Sequence, residues 1–132
     1  MFPPFEYADQ LPATIEPDCR KTFRVAMCAE PENTCKVVVQ VVLQRPPGGP
    51  QLALSFNGSW PRIDAEETSE LLFPCGPFLR HSDENVAFNF RFDARRIRDG
   101  ENEMVIFNGA EGALKIRIIE IATMHRSGYF SR

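Results

Sequence analysis

Hydrophobic positions in this chain recur at every second residue, in short runs divided by turn-forming residues. In Thr22–Cys28, Phe23, Val25 and Met27 alternate with Thr22, Arg24 and Ala26, the period of a strand with one buried face. The run Cys35–Arg45 sets Val37, Val39, Val41 and Leu43 on one side and keeps Val38 and Val42 on the other. It therefore predicts a central strand covered on both faces. The cluster Pro46–Pro50 is a turn, after which Leu52, Leu54 and Phe56 alternate in a strand that stops at Asn57-Gly58, a pair suited to a tight reversal. Residues 59–70 are polar apart from Trp60 and Ile63 and read as a loop, with room for one helical turn near Asp64–Thr68. Leu71–Phe73, ended by Pro74, predict a short edge strand.

The clearest alternation is in Asn85–Asp93, where Val86, Phe88, Phe90 and Phe92 oppose Asn85, Ala87, Asn89, Arg91 and Asp93, so the phenylalanine face is expected in the core. A short connector closes at Asp99-Gly100, and a strand follows from about Asn102 to Asn108. Gly100 is expected at positive φ, and Asn102 is expected to fasten the turn by side-chain-to-backbone hydrogen bonds. Leu114–Met124 falls out of phase with itself: Leu114, Ile116 and Ile118 share one parity, Ile119 and Ile121 the other. One extra residue at Ile118/Ile119 restores the inward face, which predicts a β-bulge there. Residues 1–21, with Pro3, Pro4, Pro12 and Pro17, read as an extended lead-in, and 125–132 as a polar tail that frays. Seven or eight short strands without a helix of any length predict an all-β antiparallel sandwich over 22–124. Parallel sheets are excluded because they need helical crossovers.

Composition narrows the class. The chain has 132 residues, 43% hydrophobic and 25% charged, which is one globular domain able to bury a core without crosslinks. Fifteen basic against eighteen acidic residues give a net charge of −3, and no Lys/Arg-rich run is present, so nucleic acid is not expected as a partner. No apolar stretch approaches the roughly 20 residues of a membrane span. The start, MFPPFEYADQLPA, has neither the basic nor the apolar region of a signal peptide, and the compartment is left unassigned.

Four cysteines, Cys19, Cys28, Cys35 and Cys75, contain no CxxC pair, so a zinc site is not expected. Free, buried thiols are the expectation. The alternative is two disulfides in one of three connectivities, with Cys28 and Cys35 closing the AEPENT loop. The only histidines are His81 and His125, and a small enzyme using Cys75 or His81 is the rival reading, for which no base stands near the thiol in sequence.

A sugar site in water combines an aromatic face with planar polar groups. The loop 59–67 offers Trp60, Arg62, Asp64 and Glu66, and the loop 76–84 adds Phe78, Arg80 and His81; these are the candidate ligand-binding residues. The competing reading makes Trp60-Pro61 a plug at one end of the core, and for Trp60 itself that is the expected role. Glycoside hydrolysis needs two carboxylates about 5–10 Å apart across a cleft, and neither the adjacent Glu66/Glu67 nor Asp64 forms such a pair in sequence, so catalysis is not expected. Asn57-Gly58-Ser59 also matches an N-glycosylation sequon, although a tight turn accounts for the same residues.

The succession QLALSFNG, a polar loop, LLFP, FNFRFDARRIRDGENEMVIFN and LKIRIIEIATM resembles the galactose-binding-like jelly-roll modules attached to many glycoside hydrolases. The likeness rests on Phe56-Asn57-Gly58, on Arg98–Met104 and on Leu114–Met124, and it runs in order over 22–124. It implies a jelly-roll β-sandwich of about eight strands. It also implies a non-catalytic accessory role beside a catalytic domain, with carbohydrate bound through loops at one end, or a purely structural role with no sugar. Members of that family often hold a structural calcium ion; this sequence has no dense Asp/Asn loop, so no calcium ligands are assigned.

Overall fold

The computed structural model describes residues 11–44, 51–61, 63–68, 70–75, 78–80, 84–125 and 130–131, with side chains over 11–44, 51–61 and 84–124. Among the described residues eleven strands are formed: β1 (Ala13–Ile15), β2 (Arg20–Met27), β3 (Thr34–Gln44), β4 (Leu52–Phe56), β5 (Ile63–Thr68), β6 (Glu70–Cys75), β7 (Phe78–Arg80), β8 (Asn85–Phe92), β9 (Gly100–Asn108), β10 (Leu114–His125) and β11 (Phe130–Ser131). Single 3-10 turns lie at Pro31–Asn33 and Ala94–Arg96. The larger sheet runs β1-β10-β3-β8-β5 with β11 also on β10, the smaller runs β2-β9-β4, and β6 pairs with β7. Every pairing is antiparallel, so the molecule is an all-β sandwich of five plus three strands with short additions.

The alternation read from sequence is what closes the sandwich. From the larger sheet, Val37, Val39, Val41 and Leu43 of β3, Val86, Phe90 and Phe92 of β8, and Leu114, Ile116, Ile119 and Ile121 of β10 point into one core. Phe23, Val25 and Met27 of β2, Leu54 and Phe56 of β4, and Met104 and Ile106 of β9 meet them from the smaller sheet. The Phe56 and Phe92 rings touch across the two sheets, 5.2 Å between centroids. Phe88 departs from the expectation: it is half-buried and only packs against the core. Both faces of β3 are buried, Val38 and Val42 included, as a central strand between β10 and β8 requires.

The expected bulge lies in β10 one position early. Ile116 pairs with Leu43 and Ile118 with Val42, which leaves Arg117 as the extra residue, and Ile119 and Ile121 then return to the core side. Four segments differ from the sequence reading, the first being Phe78–Arg80, expected within a loop over 76–84, which forms β7 against β6. Residues 63–68, expected as loop, form β5 against β8, with Ile63 opposite Arg91 and Glu66 opposite Asn89. The lead-in contributes β1 to β10, and Phe130 and Ser131 of the tail pair with Met124 and Thr123. In each case an extended segment pairs with an edge that has unpaired N–H and C=O groups, and its apolar positions, such as Ala13 and Ile15 of β1, are too few to mark a strand in sequence.

Asn108, itself buried, joins β1 to the end of β9: its Nδ2 donates to Ile15 O and to Gly112 O, both at 2.9 Å, and its Oδ1 accepts from Ala110 N at 2.8 Å. Cys19 and Cys28 are free thiols at the surface and Cys35 is exposed too, so the expectation of buried thiols fails for these three; the side chain of Cys75 lies outside the described residues. They sit at strand ends and on the outer side of the sheets, where the alternation gives core positions to aliphatic and aromatic residues instead.

Candidate functional site

The site begins at the turn that ends β4. Asn57 and Gly58 have φ of 48° and 80°, the two left-handed positions of a type I′ turn, and Phe56 and Ser59 exchange backbone hydrogen bonds of 2.9 and 3.0 Å around it. One such pair forms and the strands then part, so the turn delivers Trp60 outward.

Asn57 also fixes a second segment. Its backbone N donates to Glu103 O, and its Oδ1 accepts from Glu103 N, both at 2.8 Å, which fastens the turn to β9. Its Nδ2 donates to Arg96 O at 2.6 Å and to Asn102 Oδ1 at 2.9 Å. Asn102, fully buried, donates to Arg98 O at 2.9 Å and Gly100 O at 3.2 Å, and its Oδ1 accepts from Arg98 N at 2.9 Å. Gly100 stands at φ 98°, as the Asp99-Gly100 pair foretells. With the Asn57 amide committed to these contacts, Asn57-Gly58-Ser59 is a structural turn.

The segment clamped in this way is the 3-10 turn after β8. Asp93 caps it, with Oδ1 accepting from Arg95 N at 3.0 Å, and Ile97 buries itself in the core at its other end. The same carboxylate grips the Arg95 side chain, Nη2 to Oδ2 at 2.7 Å and Nε to Oδ1 at 3.1 Å. The hydrogen bond to Asp93, and then the charge of Asp93, raise the pKa of Arg95 above its usual value, which keeps the guanidinium charged.

Trp60 is 61% exposed, the one large hydrophobic side chain left in solvent among the described residues. Its ring leans on Phe107 of β9, 5.7 Å between centroids at 37°, and the Arg20 guanidinium lies 5.9 Å from the centre of the same Phe107 ring. Trp60 is therefore no plug: Phe56, Phe92 and Ile97 are among the buried residues of the core, while the indole is exposed and rests on Phe107 of the small sheet. Beside it opens a shallow depression of about 570 Å³, lined by Gly58, Ser59, Trp60, Asp93, Arg95 and Arg96. An aromatic face next to the Arg95 guanidinium held by Asp93, with the exposed Arg96 beside it, can stack on the apolar side of a sugar ring and bond the oxygens at its edge.

Of the residues expected at a site, Trp60 is placed at this depression. Asp64 and Glu66 stand on β5 at the edge of the large sheet, and Phe78 and Arg80 on β7, where Phe78 is opposite Cys75 and Arg80 opposite Glu70. Arg62 and His81 lie outside the described residues. Asp93, Arg95 and Arg96, which complete the depression, were not among the candidates. Their one sequence signal is the Asp-x-Arg spacing of a capped turn, and their approach to Trp60 depends on the Asn57 to Arg96 bond, which joins segments far apart in the chain. Among the described residues no three His, Cys, Asp or Glu side chains are grouped to hold a metal ion.

Fold and site define a two-sheet antiparallel β-sandwich carrying an aromatic and basic depression beside its small sheet. The same fold occurs within much longer chains of glycoside hydrolase family 86. A β-porphyranase of that family from the human gut bacterium Bacteroides plebeius aligns over 97% of this chain and 20% of its own, with a TM-score of 0.64 and 12% identity. BuGH86, solved in complex with neoagarooctaose, aligns over 97% of this chain and 18% of its own, with a TM-score of 0.61 and 14% identity. This chain thus spans about a fifth of the length of either, and the likeness is one of fold. No protein-family model matches the chain, and no curated protein does.

Proposed function

We propose that this chain is a non-catalytic carbohydrate-binding module of the galactose-binding-like jelly-roll type, acting beside a catalytic domain, with the Trp60 depression as its sugar site. The observation that carries the reading is the exposed indole, held on Phe107 at the rim of a depression that also presents Arg95 and Arg96. Burying a large aromatic is the ordinary outcome in a β domain, and leaving it in water forgoes roughly 2–3 kcal/mol of hydrophobic stabilisation. A sugar face recovers that surface on binding. The occurrence of the fold as a fifth of glycoside hydrolase chains supports the accessory role. The depression is open to solvent, a shape suited to holding one face of a sugar.

Calorimetric titration of the whole chain with a panel of oligosaccharides tests this. At least one should bind saturably, and Trp60→Ala should remove the binding while lowering stability by about 1 kcal/mol or less, the range for an exposed side chain. Arg62, Asp64, Glu66, Phe78, Arg80 and His81 are secondary candidates to be substituted in the same titration. If no sugar binds, the purely structural reading takes over, in which Trp60 and Phe107 cover a neighbouring domain.

A further inference from the structure

We infer that the Trp60 depression selects anionic saccharides, carrying sulfate esters or uronate carboxylates, over neutral ones. The inference rests on the reading of this depression as a sugar site and names the ligand class.

Charge gives the first argument. The lining holds two arginines and one aspartate, 2 − 1 = +1, on a chain whose net charge is −3. The aspartate is also withdrawn: the Asp93 side chain is 23% exposed and the Arg95 side chain it grips is 87% exposed, so an approaching ligand meets the cation first. Arg96 makes no ion pair among the described residues, and its backbone carbonyl is the part that is tied down, by Asn57. Its guanidinium is open to solvent on an anchored turn.

Hydrogen-bond chemistry gives the second. A neutral sugar hydroxyl is both donor and acceptor, and a site that selects it must accept its proton as well as donate to its oxygen. Here the single carboxylate is spent on the Arg95 guanidinium and the Arg95 backbone N–H. Apart from the Ser59 hydroxyl, which can also accept, the side chains of the rim offer donors: the Nη1 edge of Arg95 and the fork of Arg96. A sulfate or carboxylate brings acceptors alone and takes such a fork two bonds at a time. Asp93 contributes by holding Arg95 in one orientation, so little side-chain freedom is lost when the anion arrives.

The test titrates the whole chain, by calorimetry at low ionic strength, with a neutral galactooligosaccharide, a sulfated galactooligosaccharide, an oligogalacturonate and inorganic sulfate. At least one of the two charged saccharides should bind roughly tenfold or more tighter than the neutral one, as expected for charge-assisted contacts. Whether the sulfated sugar or the uronate leads identifies the source of the anion. The preference should shrink with added salt and vanish in the Arg95→Gln/Arg96→Gln double variant, while Arg96→Lys should keep part of it. Melting curves confirm that the variants, altered only at exposed positions, remain folded. Equal binding of neutral and anionic sugars, or a preference untouched by the double variant, overturns the inference and leaves the sugar-site reading standing. Inorganic sulfate binding as tightly as the charged saccharides also overturns it, by reducing the site to a simple anion patch. Binding of none of the four sinks the sugar-site reading along with it.

Discussion

Asn102 is fully buried and uses both ends of its amide, donating to two carbonyls of the 98–100 turn and accepting from Arg98 N and Asn57 Nδ2. Truncation would deprive the Arg98 N–H and one N–H of the Asn57 amide of their acceptor, leaving Asn57 its bonds to Arg96 O and Glu103 N. Asn102→Ala should therefore cost about 2–4 kcal/mol in urea denaturation, several times the effect of an ordinary surface change. A loss under about 0.5 kcal/mol would show that the two asparagines do not act as a unit. Asn102 was legible in the sequence because Asp-Gly-x-Asn is local chemistry: the amide reaches backbone groups within four residues of itself. Trp60 was not. Whether an indole plugs a core or lies on a surface depends on the ring it meets, and Phe107 arrives from another strand. The partners at its rim, Arg95 and Arg96, were hidden for the same reason, since polar residues in a connector look alike until a long-range bond places them.

At the scale of the element, β10 shows how period and pairing constrain each other. Its two inward pairs, Leu114/Ile116 and Ile119/Ile121, differ in parity, and Arg117 absorbs the difference. Deleting Arg117 should regularise the ladder with every inward residue still inward, at a cost of about 1 kcal/mol or less. Inserting one alanine between Ile119 and Glu120 should instead turn Ile121 out and a carboxylate toward the core, for a loss above about 3 kcal/mol. Thermal melts of the two variants compare these directly, and equal losses would refute the assignment of the bulge. The hydrophobic strands were legible because alternation records the burial of one face. β5 and β1 were not: they pair along edges, Glu66 sits opposite Asn89, and the buried Ala13 and Ile15 of β1 are two positions in a three-residue strand, too short to show a period. Phe88 sets the limit of the method in the other direction. It has the parity of Phe90 and Phe92 but is only half-buried, because period fixes the face and not the depth.

For the whole molecule, the all-β antiparallel class followed from short alternating runs and turn residues, whereas the order of strands within each sheet did not, since β1 meets β10 and β2 meets β9 across most of the chain. That order matters for solubility. β3 occupies one side of β10 along most of its length, and β1 and β11 cap the two ends of the other, at Leu114–Ile116 and at Thr123–Met124. Removing residues 1–16 and 126–132 should uncover this edge and raise self-association with concentration, visible by sedimentation; a truncated chain no more associated than the full one would count against edge protection. Trp60 carries a last consequence. It is the chain's single tryptophan and it already stands in water when the protein is folded. Its emission should therefore resemble that of hydrated indole and change little on unfolding, while the core, whose aromatic rings are phenylalanines, stays dark at those wavelengths. The molecule carries a lamp on its surface and none in its interior: light from it reports what lands on the depression, and circular dichroism has to report whether the sandwich is intact.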